Sequence, residues 1–122
     1  MPVRNLDQIA RCTLDAIVSS PKVAMYNVGI TMNPDRRRRQ YVLYSTPKAW
    51  EHMAFLAYGL TLLQAQKLEN VLFDYCTKTN ARSVRHRKYS PVREGNYRRS
   101  SGGRADDGQA NYSVYVAWCE PN

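Results

Sequence analysis

The sequence predicts an α/β (α+β) domain, a small central sheet, mixed or antiparallel, flanked by helices. Two short stretches rich in β-branched and aromatic residues, KVAMYNVGIT (22–31) and NYSVYVAW (111–118), read as strands. Two longer ones, LDQIARCTLDAIV (6–18) and LTLLQAQKLENVLFDYC (60–76), carry apolar residues at helical spacing. With 122 residues there is enough chain for one core without metal or disulfide staples. A single domain, 1–122, is therefore expected, with an N-terminal helix (1–20), a core (22–80), a basic loop region (81–110) and a C-terminal strand (111–119).

Each element has a local reason. Leu6, Ile9, Ala10, Leu14 and Ile17 form the first helical stripe, with Asn5 placed to cap it and Ser19, Ser20 and Pro21 to end it. The strand over 22–31 closes on a glycine, and its uninterrupted VAMYNVGI run places Tyr26 to Ile30 inside the sheet and not at its edge; Asn33 followed by Pro34 supplies an N-cap and a proline at the first helical position. The arginine run Arg36–Arg39 thus falls in the first turns of a helix, on which Arg37, Tyr41 and Tyr44 share a face. The segment AWEHMAFLAYG (49–59) fits either a helix started by Thr46 and Pro47 or a strand ending in MAFLAY. After Gly59, Thr61 and Gln64 make a capping box, and Ala65, Leu68, Leu72 and Tyr75 form an apolar face. Glu69 stands at the border of that face, a position where a glutamate ordinarily stays solvated. The Gly-, Ser- and Arg-rich stretch 93–109 reads as a long loop.

Composition narrows the partners. Eighteen Lys and Arg against ten Asp and Glu give a net charge of +8, which favours polyanions. Nucleic acid is the expected one, because no apolar run is long enough to span a membrane and the N-terminus lacks a signal-like apolar core. Cys12, Cys76 and Cys119 are odd in number and lack CxxC spacing, so they read as reduced thiols, most simply small buried hydrophobes, with a cytoplasmic site of action. His52 and His86 have no supporting ligands nearby in sequence and argue for no metal pair.

Two basic regions are candidates for phosphate contact. Arg36 and Arg38 flank Arg37 in the first, while the second holds Arg82, Arg85, Arg87, Lys88, Arg93, Arg98, Arg99 and Arg104 with Tyr89 and Tyr97 interleaved. Basic side chains hold phosphates and exposed tyrosines stack on bases, so the pattern suits a nucleic-acid groove; a charged, solvated loop has the same composition.

The order of these features resembles the GIY-YIG nuclease superfamily. In that family a strand ending Tyr-x-Gly leads through a turn into a helix whose arginine lies eight residues after the glycine, and Gly29 plus eight is Arg37. A further strand, a Gly-Leu-Thr type turn and a helix of the form A-x-x-x-E follow, matched by GLTLLQAQKLE with Ala65 and Glu69; an asparagine comes about ten residues later, where Asn80 stands. The resemblance spans Val23 to about Asn80. It departs in two places: no Gly-Ile-Tyr tripeptide precedes the strand, and Asn27 occupies the position of the second motif's tyrosine, with Tyr26 one residue away on the opposite face. The C-terminal stretch NYSVYVAW could pair beside the Tyr26 strand in place of the missing first strand, giving a circularly rearranged sheet and offering Tyr112 or Tyr115 as a substitute phenol; tyrosines that merely pack on a sheet have the same pattern.

What the resemblance implies is a metal-dependent endonuclease, as a free enzyme or as a toxin or effector domain with an inhibitory or immunity partner protein. Glu69 would hold Mg2+ (or Mn2+), Arg37 would clamp the scissile phosphate, Asn80 would orient the loop or the phosphate, and Tyr26, Tyr41 or Tyr115 would supply the phenol. A catalytically inactive nucleic-acid-binding module with the same fold is the alternative, favoured by the missing tripeptide and by Asn27.

Overall fold

The computed structural model describes residues 3–44, 50–97 and 111–121, with the side chains of 3–5 and 40–44 outside that description. In chain order the elements are α1 (Val3–Val18), β1 (Met25–Thr31), α2 (Pro34–Tyr44), β2 (His52–Leu60), α3 (Leu62–Thr77), α4 (Val84–Lys88), α5 (Pro91–Asn96) and β3 (Tyr112–Cys119). The strands form one antiparallel sheet in the order β1-β3-β2, so the domain is mixed α+β.

The last strand is the central one. Alternation in β3 puts Val114 and Val116 on one face and Tyr115, Ala117 and Cys119 on the other, and all five are buried. The first face packs under α1 and α3 through Ala10, Leu14, Val18, Leu68 and Leu72, joined by Tyr26 and Val28 of β1. The second carries a smaller cluster of Trp50, Tyr115, Ala117 and Cys119. A strand flanked on both edges and covered on both faces needs the near-continuous apolar run that YSVYVAWC supplies.

Strand β1 is therefore an edge strand, against the expectation from its uninterrupted VAMYNVGI run that it would lie inside the sheet. Its burial has another source. Tyr89 makes a one-residue parallel bridge to Tyr26, with the Ser90 N–H donating to the Tyr26 carbonyl at 2.8 Å, and this covers part of the outer edge. Apolar content reports cover, and a crossing segment provides cover without a third ladder.

Several local expectations hold. The Thr61–Gln64 capping box is formed in both directions, and Asn33 Oδ1 accepts from the Arg36 N–H at 3.0 Å. Residues 52–60 take the strand alternative, pairing with β3 across register shifts between Phe55 and Ala57 and between Ala57 and Leu60; the second spans Gly59, whose φ of 68° opens the bend into α3. Three differ. Helix α1 begins at Val3, so Asn5 lies in its first turn and is not its cap. Cys76 and Cys119 are buried but Cys12 is exposed. The basic region is not one loop, because Ser83 and Ser90 cap two short helices and Pro91 starts the second. Residues 98–110, with Arg98 and Arg99, lie outside the described residues.

Candidate functional site

The site is a recess of ≈ 320 Å³ along the outer edge of β1. Strand β1 provides its floor with Asn27, Val28, Gly29 and Ile30; Arg37 comes from α2, Gln66 and Glu69 from α3, Tyr115 from β3, and Tyr89, Arg93, Asn96 and Tyr97 from the segment around α5. A second recess of ≈ 460 Å³ shares Ile30 and Arg37 with the first and adds Arg36 and Tyr112.

The four arginines divide as helical geometry requires. Successive residues turn by about 100°, so at most one or two can face the same point. Arg37 is half-buried and lines both recesses, whereas Arg36, Arg38 and Arg39 are exposed. Arg36 still reaches the second recess. Arg38 lines neither.

Glu69 is half-buried, not solvated as its border position suggested, and burial pushes its carboxyl from 4.5 up to about 7. Gln66 precedes it by three residues and so shares its side of α3. Tyr115 is 1% exposed and lies opposite Gly29 in the β1–β3 register. A Cβ at Gly29 would meet Tyr115 Oη at 2.4 Å and Cζ at 2.5 Å, so the glycine makes room for the phenol at the strand edge. Gly29→Ala is expected to lower stability by about 1–3 kcal/mol, as overpacking of a buried ring does. Thermal unfolding reads this; an unchanged melting temperature would mean that the Tyr115 ring is free to leave Gly29.

Other expected site residues are placed elsewhere. Tyr26 is fully buried on the core face, its hydroxyl donates to the Arg85 carbonyl at 2.6 Å, and burial, with Cys76 beside it, raises its pKa far above that of a free phenol. It does not line the recess and is unsuited to act as a base. Asn80 is exposed with φ 46°, and its Oδ1 accepts from the Arg82 N–H at 3.2 Å. It builds the turn out of α3, in a left-handed conformation that asparagine tolerates, and does not reach the recess. Tyr41 lies in α2, but its side chain is outside the described residues.

In the second basic region, composition misled for three residues. Arg85 donates from Nε to the Tyr75 carbonyl at 3.0 Å, stacks its guanidinium 4.0 Å from the Tyr75 ring centre, and lies 3.8 Å from the Asp15 carboxylate. Lys88 Nζ donates to the Val18 and Ser20 carbonyls at 2.8 and 3.0 Å, closing the C-terminal end of α1. Tyr89 is buried, edge-on to both Tyr26 and Phe73, and cannot stack on a base from the surface. These side chains hold helices together. Arg87 is exposed and remains suited to phosphate contact. Arg85→Ala is expected to cost about 2 kcal/mol by removing a charged donor from a half-buried network, while Arg87→Ala leaves stability within about 0.5 kcal/mol. Urea unfolding separates the two; equal small effects would return Arg85 to the surface.

Tyr97 and Arg93, noted in the sequence only as parts of a basic run, line the recess with Asn96. The Tyr97 ring stacks on Phe73 at 3.8 Å, and its hydroxyl donates to Asn70 Oδ1. Their position follows from the Ser90–Pro91 helix start, the one local signal that could have found them.

A hard divalent cation in the recess would have Glu69 as its carboxylate ligand, with Arg37 and Arg93 lining the same recess. Among the lining residues Glu69 is the sole carboxylate, accompanied by amide oxygens and phenols, and such ions accept one carboxylate with water and phosphate completing the shell. A second group of potential ligands, Glu51, His52 and Glu120, is drawn together by the β2–β3 pairing, with their ligand atoms within 4.8 Å of one another. Their polar atoms serve each other: His52 Nε2 lies 2.8 Å from Glu120 Oε2, and Glu51 Oε1 accepts from the Glu120 N–H at 3.1 Å. None of the three lines the recess. Comparisons of the chain with protein-family models, with curated proteins and with solved structures gave no match.

Proposed function

We propose that this chain is a metal-dependent endonuclease hydrolysing phosphodiester bonds in nucleic acid, a circularly rearranged relative of the GIY-YIG nucleases. The observation that carries the reading is the meeting of Arg37, Glu69 and Tyr115 at one recess beside Gly29, from three elements far apart in sequence. The pairing of β3 against β1, Tyr115 opposite Gly29, supports the substitution of the last strand for the family's first.

In this reading the Arg37 guanidinium grips two oxygens of the scissile phosphate through its planar fork. The Glu69 carboxylate holds Mg2+ or Mn2+, which when bound supplies charge neutralisation and a more acidic water. The Tyr115 hydroxyl accepts a hydrogen bond from the attacking water and orients it. Exposed Arg36, Arg38 and Arg87 bind flanking phosphates, giving affinity without sequence preference.

A second reading, an inactive nucleic-acid-binding module of the same fold, is favoured by Asn27 in place of the motif's tyrosine and by the burial of Tyr26. Incubation with plasmid DNA and with total RNA, in magnesium and in EDTA, decides between them. Cleavage in magnesium alone supports the enzyme; salt-sensitive binding with both substrates intact supports the module.

A further inference from the structure

Asn27 is 2% exposed, and its amide nitrogen is buried with no hydrogen-bond partner among the described residues. It lies two residues before Gly29 on the same face of β1, opposite Ala117, and lines the recess that holds Arg37 and Glu69. An unpaired buried amide donor costs free energy that valine or threonine, better strand formers, would avoid. Such a group calls for a partner, and the partner must accept. The terminal torsion of asparagine is soft, so rotation of the amide can aim Nδ2 at the recess without moving the strand.

We propose that Asn27 Nδ2 donates a hydrogen bond to a non-bridging oxygen of a phosphodiester seated in the recess, beside the Arg37 guanidinium. The proposal rests on the phosphodiester reading of this recess and assigns a substrate contact to a position where the resembling family carries a phenol. An amide cannot serve as the base there; it adds a donor where charge develops.

The test uses the full chain and two readouts. In EDTA, 15N-labelled protein is titrated with dimethyl phosphate, the smallest phosphodiester, and with short single-stranded and duplex DNA. The Asn27 side-chain amide, assigned by its absence in Asn27→Val, is expected to move downfield in wild type and to stay still in Arg37→Ala. In magnesium, Asn27→Val is expected to lower the single-turnover cleavage rate about 10²–10³-fold, the usual cost of one such donor, with DNA affinity within about threefold and melting temperature unchanged or raised. An Asn27 amide that stays still while other resonances shift overturns the proposal, as does a fall of several degrees in the melting temperature of Asn27→Val, which would reveal a structural partner. If wild type cleaves neither DNA nor RNA but the amide shifts with dimethyl phosphate, the hydrolytic reading fails and the phosphate contact stands.

Discussion

Replacing Arg37 with alanine is expected to slow metal-dependent cleavage by about 10²–10³-fold, because a preorganised charge clamp acts most strongly as charge develops. The prediction concerns one residue of a run of four. Arg37 is half-buried at the junction of two recesses, while Arg38 and Arg39 are exposed and line neither. Arg38→Ala and Arg39→Ala should therefore weaken binding and reduce its salt slope by roughly one unit per lost phosphate contact, leaving the rate of bound substrate nearly intact. Arg37→Lys should rescue poorly, lacking the bidentate fork. Single-turnover rates at saturating enzyme, with binding isotherms at several salt concentrations, separate these effects. Equal losses at all three positions with parallel salt slopes would mean that the whole run is a binding or solvated face.

Removing the Glu69 carboxylate is expected to abolish magnesium-dependent cleavage while DNA binding in EDTA survives. The residue sits at the rim of the α3 packing face, so Glu69→Gln keeps the shape and removes the one carboxylate among the residues lining the recess. Burial raises its carboxyl from 4.5 to about 7. A raised carboxyl pKa favours the fold fully below the unfolded value and loses that contribution as pH climbs through the folded one, since between them the unfolded chain has released a proton that the folded chain keeps. In EDTA the wild-type melting temperature should thus fall between pH 4.5 and about 7 by more than that of Glu69→Gln, which has no proton to lose there. Parallel melting curves for the two proteins would show that the carboxylate is solvated in the fold, and residual magnesium-dependent cleavage in Glu69→Gln would remove it as the ligand.

How far the sequence could be read depended on whether the signal was local. The Thr61–Gln64 box, the Asn33–Pro34 start and the spacing from Gly29 to Arg37 act within one or two turns of helix, and the fold keeps them. Pairing of NYSVYVAW with the Tyr26 strand was legible because a sheet needs a partner there, but its central place was not, since burial of β1 comes from the Tyr89 crossing as much as from strands. Arg85, Lys88 and Tyr89 have the composition of a nucleic-acid surface. Only the fold reveals that Asp15 and the Tyr75, Val18 and Ser20 carbonyls lie within their reach. Asn80 fits a family spacing, yet its conformation is fixed by the turn it makes into α4. Glu69 is more buried than its helical phase implies, and it shares its recess with Tyr89, Arg93, Asn96 and Tyr97 from the segment around α5.

Whether Arg37 and Glu69 form one metal-assisted phosphodiester site is tested most directly by crystals of the chain grown with Mn2+ and a short DNA phosphorothioate, read by anomalous scattering. The expected result is a manganese peak within bonding distance of a Glu69 carboxylate oxygen, with a backbone phosphate between that peak and the Arg37 guanidinium. A peak at Glu51, His52 and Glu120 instead, with Glu69 bare and the phosphate held elsewhere, would contradict it.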